Sequence, residues 1–324
     1  MTLDIQDFVA QASGNVAVED IPPAVQERVN GALADLTGEE SGPGGPAGDL
    51  YDAVVNAGSG NDDGSSPFKT IQAAVDNVSS GAVISVEAGT YDEQVSIDKS
   101  NITIFGAGQG ETVIDASGND GRGIVVNSPG VTLREFTVIG PDESSEGSYG
   151  VKIQPFSSDG GLPGNPATVD SIAVKGSYKT ELDLIGVQNG TVSNVVLNGQ
   201  NTGGVGLALS NCKNVSLENV ETRDNNWGGI GLFTNEEFSS VELADITISN
   251  HTAANGESVA PIYLDPETDN YDLPSLVPSY QYKVTSEGFR DGDFQWLFET
   301  QSAANAYKNV LESDDSLNAS VNKR

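Results

Sequence analysis

The chain has one cysteine, Cys212, so it closes no disulfide within itself. It has one histidine, His251, in the turn Asn250-His251-Thr252. That excludes a zinc site built from histidines. It also leaves a Ser-His-Asp or Cys-His nucleophile with a single base to draw on and no partner motif beside it. Lysine and arginine together number 15 against 47 aspartates and glutamates, a net charge of −32. Nucleic-acid backbones are gripped by clustered lysine and arginine, so direct DNA or RNA binding is excluded. No apolar run is long enough to span a bilayer, so no membrane insertion is expected. Met1-Thr2-Leu3-Asp4 opens without the basic and apolar regions of a secretory signal. The expectation is a chain that reaches the outside by another route, such as virion assembly in a host cytoplasm followed by lysis. Cys212, next to Asn211 at a strand end, reads as a small buried residue and not as a nucleophile.

The acidic excess runs along the whole sequence and is not gathered in a tail. A compact body with this charge repels itself in dilute buffer. At 1 M salt the screening length falls to about 3 Å and the repulsion is damped. The pattern is that of a protein adapted to very high salt, the origin expected here being an extreme halophile.

What the chain has in quantity is repetition. After residue 120 two phrases alternate. One begins with glycine: Gly123-Ile124-Val125-Val126-Asn127, Gly150-Val151-Lys152-Ile153-Gln154, Gly206-Leu207-Ala208-Leu209-Ser210-Asn211, Gly229-Ile230-Gly231-Leu232-Phe233. The other is a strand phrase: Val131-Thr132-Leu133-Arg134-Glu135-Phe136, Thr191-Val192-Ser193-Asn194-Val195, Asn214-Val215-Ser216-Leu217-Glu218, Ser240-Val241-Glu242-Leu243. Gly206 to Gly229 and Val192 to Val215 are both 23 residues apart, which predicts a solenoid. Short strands of period two make it a β-solenoid. Asn127, Asn189, Asn211 and Asn235 each follow a strand, and the expectation is a stack of asparagines bonding from coil to coil at a tight turn.

Three segments are predicted. Residues 1–48 read as two short helices followed by a Gly/Pro linker, an attachment module that would meet other virion proteins or copies of itself. Residues 49–265 form the solenoid. Residues 266–324 form an aromatic-rich cap or oligomerisation unit. The rhythm fails from Pro261, residues 263–298 read as an extended crossover rich in Tyr, Phe and Trp, and 300–312 read as a final helix carrying Ala303, Ala304, Tyr307 and Leu311. Within the solenoid, Phe68, Ile71, Val75 and Val78 share a helical face ahead of the first coil, a capping element for the open end of the rod.

Residues 59–116, with the order DGSSPFKTIQAAVD, AGTYDEQVSI and NITIFGAGQGETVID, resemble the opening of pectin methylesterases and other right-handed parallel β-helices of the pectin-lyase-like superfamily. The resemblance implies an all-β, right-handed parallel β-helix. It would also imply two aspartates and an arginine on one sheet face, but the strings that carry them (Gln-Asp-x-Leu, Asp-Phe-Ile-Phe-Gly, Leu-Gly-Arg-Pro-Trp) are absent. The arginine string of pectate lyases is absent as well, and Asp62-Asp63 precedes the first coil, where a polygalacturonase pair would not lie. Gly89-Thr90-Tyr91-Asp92-Glu93 is matched, as scaffold.

The expectation is therefore a non-enzymatic virion-surface protein (a spike, fibre or turret) that forms trimers or pentamers and contacts a host surface glycan. The alternatives are a polysaccharide-active lyase, hydrolase or esterase, and a cellular surface scaffold. No catalytic residues are assigned. Candidate glycan contacts are Trp227, Asp224, Asn225 and Arg223, an aromatic ring with polar neighbours, against the plain reading of a tryptophan covering a coil edge. Asp142, Glu143, Glu146 and Asp159 mark two long insertions that form a loop face. Asp62 and Asp63 are a candidate for structural Ca2+ or Mg2+, held by oxygen ligands, against a plain turn.

Overall fold

The computed structural model describes residues 51–61, 64–142, 147–154, 166–202, 204–225, 228–233, 241–244, 247–248, 262–264, 282–289, 292–298, 300–312 and 318–323. The predicted helices of residues 1–48 lie outside them, as do His251, Asp62 and Asp63.

Coil after coil, strands pair in parallel with the strand one turn earlier. The first sheet runs through Ala53–Val55, Val83–Val86, Thr103–Gly106, Val131–Ile139, Ala167–Lys175, Gln188–Thr202, Lys213–Asn225 and Val241–Ala244. The second runs through Val95–Ile97, Arg122–Val126, Tyr149–Ile153, Thr180–Ile185, Val205–Ser210, Gly228–Phe233 and Ile262–Leu264. This is the parallel β-helix expected from the repeat.

The first sheet is folded along its length. The early half of Val131–Ile139 pairs with Thr103–Gly106, and its late half pairs with Thr112–Asp115. Between the halves Glu135 sits at φ 58°, and the residues in register above it, Ser171, Asn194 and Asn219, sit at 53°, 53° and 51°. A left-handed residue turns a strand sharply without ending its ladder, and asparagine tolerates that conformation best among non-glycine residues. The column is therefore a corner, and it gives the rod three faces. Asn219 Nδ2 donates to Asn194 Oδ1 at 2.9 Å, and Asn194 Nδ2 donates to Asp170 Oδ1 at 3.0 Å.

This corrects the predicted asparagine stack. Asn189 belongs to a different column, where Asn214 Nδ2 donates to its Oδ1 at 3.0 Å. Asn127 joins a third ladder on the second sheet, donating to Asp98 Oδ1 at 2.8 Å and accepting from Gln154 Nε2 at 3.3 Å. Asn211 is left-handed (φ 51°) but stands one residue past the row of Asn127. Asn235 lies outside the described residues. Side-chain ladders do run up the rod, in several columns and not one.

Each face delivers a column of aliphatic side chains to the interior. On the first face Ile84, Ile104, Leu133, Val169, Val192 and Leu217 lie in register, all at most 1% exposed. On the second sheet Ile124, Val151, Leu182, Leu207, Ile230 and Ile262 do the same. The 23-residue spacing holds on the second sheet, where Val205 pairs with Gly228. On the first it does not: Val192 pairs with Leu217, 25 residues on. A register shift between Asn198 and Thr202 absorbs the two extra residues, since Thr202 pairs with Asn225, 23 on.

The open end of the rod is covered by helix α1 (Ile71–Asn77), which buries Ile71, Ala74 and Val75. Its ends are held by the coil beneath. Glu93 accepts from the Ile71 and Gln72 backbone N–H groups at 2.8 and 2.9 Å. Lys99 Nζ donates to the carbonyls of Val75, Asp76 and Val78 at 2.7–2.8 Å. An acid at the N-terminus and a base at the C-terminus also oppose the helix dipole. Tyr91 is 3% exposed and donates its hydroxyl to the carbonyls of Val55 and Glu87. The Gly-Thr-Tyr-Asp-Glu element is thus scaffold, as read from the sequence.

At the far end, the predicted crossover contains two antiparallel strands, Tyr282–Phe289 and Gly292–Phe298; Gly292–Phe298 extends the second sheet beyond Ile262–Leu264, Tyr282–Phe289 pairs with it, and Asn318–Lys323 pairs with Tyr282–Phe289. Helix α2 (Gln301–Glu312) closes over them. Trp296, Phe298 and Ala304 form a small separate core with Tyr307 and Tyr263 against it. Ala303, expected on the buried side of this helix, is exposed.

Because each column residue touches the coils above and below, Leu182→Ala is expected to cost about 2–5 kcal/mol. Thr132→Ala, on the outer surface of the first sheet, should stay within about 0.5 kcal/mol. Urea unfolding of the two variants checks this.

Candidate functional site

The glycine phrases line up in space. Gly123, Gly150, Gly206 and Gly229 occupy one row of the second sheet, and the coil between Gly150 and Gly206 places Glu181 in that row. This coil, Thr180-Glu181-Leu182-Asp183-Leu184-Ile185, is the one without the glycine phrase. It carries two acids in an otherwise buried strand.

Glu181 points into the rod. It is 1% exposed and accepts from Ser177 Oγ at 2.6 Å and from the Ser177 backbone N–H. Room for it exists because its neighbour Gly150 has no side chain; a Cβ there would stand 2.6 Å from Ser177 Oγ and 2.3 Å from a Val174 methyl. Burial pushes the Glu181 carboxyl up to about 8, against the two hydrogen bonds from Ser177.

Asp183 points outward from the same strand. Along its row the side chains read Val125, Lys152, Asp183, Ala208, Gly231 and Tyr263. Lys152 and Asp183 form an ion pair, their side chains 8% and 6% exposed. Beyond Asp183 the row shrinks to Ala208 and Gly231, which leaves a hollow, and Phe233 and Tyr149 stand at its rim. The cleft measures about 240 Å³ and is also bounded by Lys179, Thr180, Val205 and Ser210. Tyr149 lies over Lys152 Nζ at 3.9 Å from ring centroid and has Lys179 Nζ at 5.4 Å, both within cation–π range. Phe233 is braced from behind by Tyr263, centroid to centroid 5.3 Å.

The described residues lining the cleft include two lysines and one carboxylate, in a chain that is strongly acidic. Asp183 is the one carboxylate among the described residues of its lining. Three cations bear on it: Lys152 in contact, then Lys179 and Arg122 through space. Burial raises the Asp183 carboxyl from its ordinary value, and the three cations pull against that. Arg122 Nε is buried and has no hydrogen-bond partner, alone in that among the described side-chain nitrogens and oxygens. The backbone fixes Lys179 tightly: its N–H donates to the Ser148 carbonyl at 2.9 Å, and its own carbonyl packs onto Gly204. Gly204 has φ 101° and any Cβ there would collide with that carbonyl.

The predicted glycan contacts fall elsewhere. Arg223, Asp224 and Asn225 end the strand Lys213–Asn225, where Asp224 is left-handed (φ 55°) and the register shifts. Arg223 pairs with Glu221. Asn225 is 2% exposed and donates to the Arg223 carbonyl at 2.8 Å, so it braces the coil and is not open to a ligand. Trp227 lies outside the described residues. Of the loop-face acids, Asp142 is exposed, and Glu143, Glu146 and Asp159 lie outside the described residues. No group of three or more His, Cys, Asp or Glu fit to hold a metal ion occurs among the described residues. Cys212 is buried, its Sγ 3.3 Å from the Leu184 carbonyl, and burial pushes its thiol up to about 12. It is a packing residue, as the sequence reading has it.

Comparison with known proteins agrees with the resemblance read from residues 59–116. The family model described as Pectinesterase matches residues 55–135. A probable pectinesterase/pectinesterase inhibitor of Arabidopsis thaliana is 33% identical over 139 residues, which cover 39% of this chain and 22% of that protein. The chain therefore spans about a fifth of that relative's length. Among solved structures, pectin methylesterase PemA from Erwinia chrysanthemi is 16% identical, over 56% of this chain and 69% of that one, with a TM-score of 0.33. ORF18 of Geobacillus virus E2 is 16% identical, over 72% of this chain and 45% of that one, with a TM-score of 0.43. The pectinesterase match covers α1, Tyr91, Glu93 and the first coils. It includes none of the residues lining the cleft.

The Glu181 carboxyl generates a pH dependence. Its pKa is about 8 in the folded chain against 4.5 for a solvated glutamate. Between those values the unfolded chain has released a proton that the folded chain keeps, so stability falls as pH rises through this window and levels off above it. Glu181→Gln is expected to flatten the melting temperature between pH 5 and 9, and thermal unfolding across that range reads it directly.

Proposed function

We propose that this protein is a non-catalytic, saccharide-binding β-helix displayed on a virion surface as a spike, fibre or turret. The observation that carries the binding part is the aromatic-rimmed hollow of the second sheet. Tyr149 and Phe233 offer flat apolar surface, Thr180 and Ser210 offer hydroxyls, and Ala208 leaves space between them. A sugar ring has the complementary surface, apolar on its faces and hydrogen-bonding at its edge. The volume is at the small end for ligand pockets, which fits one ring of a longer glycan lying along the rod.

The non-catalytic part rests on the carboxylates. Glycoside hydrolysis uses a pair flanking the scissile bond, and among the described residues of this cleft Asp183 is the one carboxylate, held by Lys152. The pectinesterase match favours a second reading, a polysaccharide-active enzyme. Against it, Tyr91 and Glu93 within the matched segment have structural work to do at the α1 cap. Support for the virion setting comes from the sequence: an N-terminal segment with the apolar spacing of two helices, a Gly/Pro-rich stretch after it and a rod-forming repeat. In this setting residues 1–48 attach to other virion proteins, and the rod is presented as a trimer or pentamer.

Incubation with host surface polysaccharide should give saturable binding, with no new reducing ends, unsaturated products or released methanol. Tyr149→Ala with Phe233→Ala should lower affinity at least tenfold while leaving the melting temperature nearly unchanged. Turnover abolished by Asp183→Asn would establish the enzyme instead. The charge of −32 adds a further expectation: the melting temperature should rise steeply between dilute buffer and molar salt.

A further inference from the structure

The aromatic rim of the cleft is joined to the C-terminal unit. We infer that Gly231 and Tyr263 are positioning residues of the binding wall: between them they fix the ring of Phe233, and through Tyr263 the unit beyond the last coil becomes part of the site. The inference rests on the saccharide-binding reading and assigns what holds its platform in place.

Ala208, Gly231 and Tyr263 are consecutive members of one outward row, each in register with the next. Phe233 follows Gly231 by two residues on the same strand, and its ring folds back over the glycine. A Cβ at Gly231 would stand 2.6 Å from Phe233 Cε2 and 2.9 Å from its Cζ, nearer than real Cβ atoms come to a neighbour. The ring therefore fills the place that a side chain at 231 would take. A Val205 methyl stands 3.3 Å from the same point, so ring and methyl are neighbours. Earlier coils carry Val125, Lys152, Asp183 and Ala208 at this position. The second glycine of Gly229-Ile230-Gly231 is what makes room for a ring.

Tyr263 is held in turn by the unit beyond it. Its ring lies 5.3 Å from that of Phe233, tilted by 48°. It also meets Trp296, its antiparallel partner, at 6.3 Å. Trp296 is 2% exposed and packs edge-on against Tyr307 of α2 at 5.2 Å. Tilted and edge-on aromatic pairs at these separations attract. Ring contacts thus run without a break from the cleft rim to the last helix. A phenylalanine without such support turns among rotamers and loses that freedom when a ligand stacks on it. Seated over a glycine and backed by a tyrosine, Phe233 is in place beforehand.

The test combines affinity with a readout of ring position. Gly231 is not left-handed, so alanine suits the backbone there, and what its methyl meets is a side chain that can swing away. Binding of three hexasaccharides (a galacturonan, its methyl ester and a neutral glucan) is measured by titration calorimetry. Gly231→Ala and Tyr263→Leu should each weaken binding of the preferred sugar about fivefold, and Tyr263→Phe should not. In a Phe233→Ala background neither should have a further effect, because the group they place is gone. In the free protein both should move the Val205 methyl resonance through the changed ring current, and move it much less once Phe233 is alanine. Losses of affinity that persist in the Phe233→Ala background would overturn the inference, since the two residues would then act by another route. An unmoved Val205 resonance would do the same. If the wild-type protein binds none of the three sugars, the saccharide reading fails, and the Val205 resonance still decides whether Gly231 and Tyr263 place the ring.

Discussion

The register between successive coils fixes every other feature of this molecule. A parallel ladder aligns residue with residue, so a side chain's neighbours lie about 4.8 Å above and below it in the stack. Aliphatic columns, polar ladders and the cleft are all consequences of that alignment. The left-handed corner of Glu135, Ser171, Asn194 and Asn219 keeps the alignment while the sheet changes direction. The bulge at Asn198/Thr202 shows how a mismatch in coil length is confined. It is absorbed at one bend, and the second sheet continues in step.

This dependence explains what the sequence reveals and what it hides. The coil phrases are legible because burial repeats: Leu182, Leu207 and Ile230 must all be large and apolar to fill one column. The glycine row is legible for the same reason, since the backbone passes too close to the opposite face at Gly150 for any side chain. Asparagine columns mislead, because several turns per coil favour the same residue. Asn127, Asn189 and Asn211 share a chemistry without sharing a column. The first-sheet period misleads as well, because Val192 and Val215 look equivalent when the true partner is Leu217.

The cleft escapes a search for repeats because it sits in the coil that departs from the repeat. Thr180–Ile185 puts Glu181 where its neighbours have glycine, and Asp183 beside Lys152. The signal was present as two acids in a strand whose other positions are apolar. Two acids two residues apart would share a face of a regular strand, and their separation into interior and cleft shows only once the neighbouring coils are known. Arg122, Lys152 and Lys179 come from three coils, and nothing in their spacing along the chain brings them together. By contrast Arg223, Asp224 and Asn225 stand adjacent in sequence and look like a site, yet Asn225 is buried in the service of the backbone.

The two acids of this coil also show how one strand can separate structure from recognition. Inside, Glu181 meets only Ser177 as donor, and desolvation keeps its proton on at neutral pH. Outside, two residues on, Asp183 stands among three cations and has reason to stay charged. The polarity of the two faces is set by their partners, not by the acids themselves. Lys152 and Lys179 reach Asp183 from separate coils, and such a meeting needs fixed spacing. A stiff solenoid provides that spacing at low cost, because each coil is already positioned by the column beneath it. The same stiffness sets the shape of the cleft in advance, so its walls are in place without any closure.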